Sequence, residues 1–220
     1  GTAGNDYLQG TTGDDWIDGL AGSDYINGRD GNDTLHGSEG NDRITGGLGN
    51  DMLFGGAGDD SLTDDQGLNV LDGGDGNDSI NAGSGDDSIV GGAGNDTITA
   101  GAGDDSIQGG AGNDTINDFV GADTVDGGGN TDTIVLTSTS SDLNTAGDDD
   151  ARLTSVEAVT ASGTSGGVTI SLSGQTEGFT ITGGGGNDII TAGSGNDTID
   201  GAAGNDSINA GSGDDSVVGG

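Results

Sequence analysis

The residues best placed to do chemistry are aspartates that recur every nine positions. Counted in nines from Gly1 to Val135, the chain makes fifteen units without a slip of phase. Their sixth places are Asp6, Asp15, Asp24, Asp33, Asp42, Asp51, Asp60, Asn69, Asp78, Asp87, Asp96, Asp105, Asp114, Asp123 and Asp132. A second run from Gly183 adds Asp188, Asp197, Asp206 and Asp215. Each closes a Gly-rich stretch such as Gly91-Gly92-Ala93-Gly94-Asn95-Asp96. A carboxylate beside the outward carbonyls of a tight turn supplies the hard oxygen ligands that a divalent cation collects in sixes to eights. The role expected of these aspartates is therefore to hold metal, not to move protons.

The elements that must position them follow from the same period. The Gly-rich half of a unit takes positive φ at little cost and turns tightly. The last three places alternate polar and apolar, as in Thr97-Ile98-Thr99, which predicts a three-residue strand with its middle side chain inward. The eighth place is Leu, Ile or Val in every unit, from Leu8 and Ile17 to Val125 and Ile134, and again at Ile190, Ile199, Ile208 and Val217. Two turns and two strands close a coil of eighteen residues. Odd units stack on one wall and even units on the other, with parallel strands about 4.8 Å apart. About twelve coils would make a rod on the order of 55–60 Å long.

The pattern GGxGxDxUx, with U a large aliphatic residue, resembles the RTX (repeats-in-toxin) nonapeptide, a calcium-binding β-helix repeat. The likeness covers roughly three quarters of the chain and rests on nineteen copies. It implies an all-β fold, a right-handed parallel β-roll with two nonapeptides per coil, and many Ca2+ ions between stacked turns. On one wall the aligned ligands would be Asp6, Asp24, Asp42, Asp60, Asp78, Asp96, Asp114 and Asp132; on the other, Asp15, Asp33, Asp51, Asp87, Asp105 and Asp123, with Asn69 a weak rung. Asp188, Asp197, Asp206 and Asp215 extend the set. The turns before Asp123 and Asp132 have decayed, and a solvated acidic turn is the alternative at both. Without metal, two aliphatic side chains per coil cannot offset the ordering of eighteen residues, and the stacked carboxylates repel. The metal-free chain is expected to be unfolded.

Composition narrows the function. There are 39 acidic and three basic residues, for a formal net charge of −36. This excludes nucleic acid as a partner, because phosphate binding needs Lys and Arg, and it opposes contact with an anionic membrane surface. No cysteine is present, so no disulfide framework exists. No apolar run reaches transmembrane length. The chain opens on a repeat boundary without Met and closes two residues into a further unit; it reads as a piece of a longer polypeptide.

The repeats divide the chain into a roll over 1–135, a metal-poor β segment over 136–182 and a second repeat block over 183–220. The middle segment loses the turn Asp. Its strands are expected to lengthen, over Ser155–Val159, Val168–Leu172 and Phe179–Thr182, with Gly147–Asp150 as an exposed loop. The segment either continues the solenoid, the preferred reading, or forms a small separate β cap. Its LTSVEAV and VTISLSGQTEGFTITG stretches resemble parts of large secreted bacterial surface proteins of S-layer and adhesin types.

The seventh and ninth places face outward and are mostly Thr, Ser or Asn. Early units depart from this: Tyr7 and Tyr25 fall on one wall, and Trp16, Met52, Phe54 and Val70 on the other. Trp16, Met52 and Phe54 mark a candidate surface for self-association or for a neighbouring chain; scattered exposed apolar residues are the bland alternative. Gly163-Thr164-Ser165-Gly166-Gly167 matches the G-x-S-x-G elbow, but that motif needs a strand-to-helix turn and a histidine, and His36 is the sole histidine, at an ordinary ninth place. No HExxH zinc motif occurs. The chain is read as a non-enzyme: a structural, calcium-stabilised roll of a secreted bacterial surface or matrix protein. Export by a type I system is implied by the resemblance alone. The alternatives are the repeat region of a secreted toxin, protease or lipase, and an adhesive or ice-binding roll.

Overall fold

An aliphatic side chain at every ninth position, flanked by polar ones, can be buried only if successive units fold back and face each other. The computed structural model describes residues 1–137 and 153–220, the side chains of Asp118 and Phe119 excepted, and it shows this arrangement. The loop expected over Gly147–Asp150 lies outside the described residues.

One parallel sheet has twelve strands in the order β1 (Tyr7–Gln9), β3 (Tyr25–Asp30), β5 (Arg43–Leu48), β7 (Ser61–Thr63), β9 (Ser79–Asn81), β11 (Thr97–Ala102), β13 (Thr115–Val120), β15 (Thr133–Val135), β17 (Ala158–Thr160), β19 (Thr180–Thr182), β21 (Thr198–Asp200) and β23 (Ser216–Val218). A second has eight, from β2 (Trp16–Ala21) through β4 (Thr34–Glu39), β6 (Met52–Ala57), β8 (Val70–Asp75), β10 (Ser88–Ala93), β12 (Ser106–Ala111) and β14 (Thr124–Gly129) to β16 (Leu153–Thr154). A third joins β18 (Thr169–Ser171), β20 (Ile189–Thr191) and β22 (Ser207–Asn209). Among the described residues there is no helix. The result is a β-solenoid of the β-roll type, two nonapeptides to the coil.

Register is set by the eighth place. Ile26 pairs with Ile44, Ile89 with Ile107 and Ile98 with Ile116, and these side chains are wholly buried or nearly so. The interior is one file of aliphatic residues from each sheet, thin for a domain of this length. Leu8, Ile17 and Ile208 pack only partly against it, and Val217 is exposed, because the end coils are covered on one side.

Strand lengths differ from the expectation in both directions. Most strands of the first block have six residues rather than three, because the ladder continues into the turn: Gly92 pairs with Gly110 and Ala93 with Ala111. Glycine at the second place bends the chain at positive φ (118° at Gly92) without breaking the pairing. In 136–182 the strands do not lengthen; β17, β18 and β19 have three residues each. Their flanks are diverted instead. Ser155 turns at positive φ, and the N–H groups of Val168 and Phe179 donate to the side chains of Asp188 and Asp197, not to a strand. The twelve-stranded sheet passes through this segment in register, Ile134 to Val159 to Ile181 to Ile199. Between β17 and β19 the extra residues are taken up in the turns.

Candidate metal centre

Stacking places each sixth-place Asp directly over its counterpart one coil on. The N–H of Asp96 donates to Oδ1 of Asp114 at 2.9 Å, and the N–H of Asp78 to Oδ1 of Asp96 at 2.8 Å. The same bond links Asp24 to Asp42, Asp42 to Asp60, Asp33 to Asp51 and Asp87 to Asp105. A second ladder runs the opposite way at the fifth place. There the side-chain oxygen of Asn77 accepts the N–H of Asn95, and that of Asn95 the N–H of Asn113. Sequence reasoning missed the fifth place, although its signal, Asn or Asp in most units, was in view. The two ladders stitch each turn to the next coil and orient the sixth-place carboxylates inward.

This leaves one oxygen of each carboxylate over. Oδ2 of Asp24, Asp33, Asp42, Asp51, Asp60, Asp78, Asp87, Asp96, Asp114, Asp132, Asp197 and Asp206 is buried with no hydrogen-bond partner. Asp96 and Asp114 are 1% exposed. A buried carboxylate oxygen without a donor is costly, so a feature repeated in turn after turn calls for a ligand. What the oxygen faces is informative. A methyl group built on Gly91 would lie 2.5 Å from Oδ2 of Asp96 and 2.5 Å from the carbonyl oxygen of Gly109 in the next coil. The same pair, Asp Oδ2 of one coil and first-place glycine oxygen of the next, surrounds the equivalent point at Gly55, Gly73 and Gly109. Two oxygens that converge beside a glycine, with no side chain and no donor between them, form a cradle for a cation. Among the described residues no three acidic or histidine side chains converge, so such an ion completes its shell with main-chain carbonyls.

The electrostatics agree. Burial, and then the neighbouring carboxylates, push Asp60 up to about 7 and Asp96 and Asp132 up to about 6. Burial also raises Asp33, Asp42, Asp78 and Asp114. For Asp87, pushed up to about 6, burial again dominates. Each of these sites resists a bare negative charge, and a cation removes that resistance.

The expected ligands are not all alike. One column aligns Asp6, Asp24, Asp42, Asp60, Asp78, Asp96 and Asp114; the other aligns Asp15, Asp33, Asp51, Asn69, Asp87, Asp105 and Asp123. In the outermost coil, Oδ2 of Asp6 and Asp15 turns onto the N–H of Thr2 and Thr11, each at 2.5 Å, and the Thr2 bonds hold the Asp6 carboxyl below its usual range. Oδ2 of Asp188 accepts from Gly184 at 2.7 Å. Asp215 offers Oδ1 to the N–H of Asp197 at 3.0 Å.

Asp132 keeps its place in the column, and two residues outside the period, Glu157 and Asp64, join the columns. Asp132, in a turn that looked decayed, is fully buried; its Oδ2 faces Gly127 together with the carbonyl of Ser155 in place of a glycine. Glu157 takes the next rung, its Oε2 accepting the N–H of Asp132 at 2.8 Å. Asp64 stands at the first place of the unit that carries Asn69, and it is 1% exposed. No period-nine signal marks Glu157 or Asp64, because one follows an insertion and the other sits off the sixth place. Beyond Glu157 the rung position is Phe179, and Val168 takes the equivalent place before Asp188; both are buried, so apolar side chains fill the turns that lack Asp.

Ser165 lies between β17 and β18, whereas His36 is on β4 and stacks against Phe54 with ring centroids 4.7 Å apart. No strand-to-helix turn is present among the described residues, so the elbow motif is a chance match. No helix among the described residues is long and apolar enough to cross a membrane.

Comparison with known families agrees with the geometry. The model of the RTX calcium-binding nonapeptide repeat (4 copies) matches residues 1–35, 27–62, 63–98, 99–134 and 191–220. No curated protein matches the chain. The matched segments cover well over half of the residues, and the unmatched stretch is the one in which Val168 and Phe179 replace the turn aspartates. A stacked roll of such nonapeptides, with buried rows of aspartate facing carbonyl oxygens, is the architecture of a calcium-binding repeat domain, and the chain belongs to the RTX calcium-binding nonapeptide repeat family.

Proposed function

We propose that this chain is a structural calcium-binding roll of a secreted bacterial surface or extracellular matrix protein, ordered by calcium outside the cell. The observation that carries the reading is the unpartnered Oδ2 of the sixth-place aspartates, set against a first-place carbonyl of the next coil. On this reading the ligands are Asp24, Asp33, Asp42, Asp51, Asp60, Asp78, Asp96, Asp114, Asp197 and Asp206. Asp6, Asp15, Asp188 and Asp215 turn into place at the ends of their stacks. Asp87, Asp105 and Asp123 bind more weakly, for the reason developed in the Discussion. At millimolar calcium and micromolar dissociation constants, each ion contributes about 2–4 kcal/mol, and several such ions tip a thin core from unfolded to folded.

A chain that stays unfolded where calcium is scarce suits export through a narrow channel of the type I kind, followed by folding outside. Trp16, Met52 and Phe54 supply the lateral contact by which rolls or neighbouring chains assemble: Trp16 is 68% and Met52 43% exposed on the face of the second sheet. Circular dichroism with calcium, then with a chelator, tests the core of the reading. Loss of β signal on chelation and its return with calcium is the expected result; full β signal under chelation contradicts it.

A further inference from the structure

The unit that lacks its sixth-place Asp has another acid five residues earlier. Unit eight reads Asp64-Asp65-Gln66-Gly67-Leu68-Asn69-Val70-Leu71-Asp72, with Asp at the first place, where every preceding unit has glycine, and Asn at the sixth. The exchange moves the carboxylate one coil along the column. In the ordinary cradle at Gly28, the oxygens facing the first-place glycine are Oδ2 of Asp33 and the carbonyl of Gly46. At Gly46 they are Oδ2 of Asp51, 2.6 Å from the position a Cβ would take, and Oδ2 of Asp64. A carboxylate oxygen stands where the other cradles have a carbonyl.

Both groups are committed on one side only. Oδ1 of Asp64 accepts the N–H of Asp65 at 2.7 Å and of Gln66 at 3.2 Å, and Oδ1 of Asp51 accepts the N–H of Asp33 at 2.7 Å. Each residue is 1% exposed, and each Oδ2 is buried without a hydrogen-bond partner. No lysine exists in the chain, and among the described residues neither arginine, Arg29 or Arg43, donates to either carboxylate. Two buried carboxylate oxygens directed at one point cannot both stay bare; a cation between them, or a proton on one, must relieve the repulsion.

We propose that Asp51 and Asp64 form a two-carboxylate cation site, distinct from the one-carboxylate cradles, that binds calcium more tightly than any other turn of the roll. The proposal rests on the calcium-binding reading above and adds a residue off the repeat's acidic position. At the next level of the same column the sixth place is Asn69, which brings no carboxylate, so charge lost at one level is regained at the adjacent one. An additional ligand charge raises the affinity for a hard divalent cation; we expect the Asp51–Asp64 ion to be held at least about tenfold tighter than the rest.

The test is calcium titration of the whole chain against a chromophoric chelator, with three proteins. The native chain should show one tight ion above a weaker class. Asp64→Asn should lose the tight ion and keep the weaker class. Asp64→Gly, which installs the residue that other units carry there and so guards against a folding failure, should convert the tight ion into one of the weaker class. A tight ion retained in either variant, or a native chain whose ions form a single class, overturns the proposal. If the native chain takes up no calcium, the calcium-binding reading fails first, and that outcome is distinct.

Discussion

Along one edge of the roll the first place is glycine from Gly1 to Gly127; along the other it is glycine only at Gly10, Gly28 and Gly46, then Asp64, Ala82, Ala100 and Asp118. Strands and aspartate ladder are shared by the two edges, but the interiors of their turns differ. On the glycine edge no side chain separates the unpartnered aspartate oxygen from the carbonyl of the next coil. On the other, Ala82 and Ala100 place a methyl group in it, and both join the buried apolar cluster. The ladder survives the exchange: the N–H of Asn69 still donates to Oδ1 of Asp87, and that of Asp87 to Oδ1 of Asp105, both at 2.8 Å. The backbone stack and the ion column are therefore separable. A turn stays in register whether its interior carries an unpartnered carboxylate oxygen, a methyl group or, at Phe179, an aromatic ring.

The largest expected effect concerns the whole glycine edge. Asp60, at about 7, and Asp96 and Asp132, at about 6, have carboxyl groups raised above the ordinary value of 3.8. A group raised in the folded state favours folding when protonated, and that contribution is lost as pH rises through the raised value. In chelator, β structure should be absent at pH 7.5 and return progressively below about pH 6, approaching completion near pH 4. With calcium the dependence inverts, because protons compete with the ion for the same oxygens. Circular dichroism against pH in the two conditions checks this, and parallel curves would contradict it.

Next come single exchanges between the edges. Gly91→Ala fills an open cradle and should remove one ion and about 2–4 kcal/mol at saturating calcium. Ala100→Gly should add one ion, at a small loss of apolar packing. Calorimetric stoichiometry distinguishes the two, and equal ion counts for both variants would erase the distinction between the edges. Ala82→Gly should likewise add an ion beside Asp87, whose Oδ2 is buried without a partner.

The smallest effect is conformational. Leu20, Arg29 and Ser38 occupy the second place at φ of 79°, 86° and 84°, a region costly for residues with a Cβ. Replacing each with Gly should stabilise the roll by about 1 kcal/mol, read as a higher urea midpoint at fixed calcium. Serine or threonine at Trp16, Met52 and Phe54 should leave that midpoint nearly unchanged and reduce assembly in sedimentation; unaltered assembly would remove these residues as a contact surface.

Much of this was legible from the nine-residue period. The period located the buried aliphatic file, the two facing sheets and the aspartate columns, because in a solenoid near neighbours in space are a fixed eighteen residues apart. What it missed was whatever broke phase. Asp64 moved off the sixth place, and Glu157 lies 25 residues beyond Asp132, so neither registers in a count of nines. The three-residue strands of 136–182 were expected to be longer because Val168-Thr169-Ile170-Ser171-Leu172 alternates cleanly; the pattern cannot reveal that the N–H of Val168 is taken by Asp188. The contrast between the edges was present in the first-place residues, yet it gains meaning only once the structure shows what a Cβ there would meet.

The central claim is that an ion sits between the free oxygen of a sixth-place aspartate and the first-place carbonyl of the next coil. Anomalous diffraction from crystals grown with calcium measures this directly. The account predicts a peak touching Oδ2 of Asp96 and the carbonyl oxygen of Gly109, repeated along the glycine edge and weak or missing beside Ala82. Cradles without peaks along the glycine edge, or aspartates rotated out to solvent in a folded calcium-grown crystal, would contradict it.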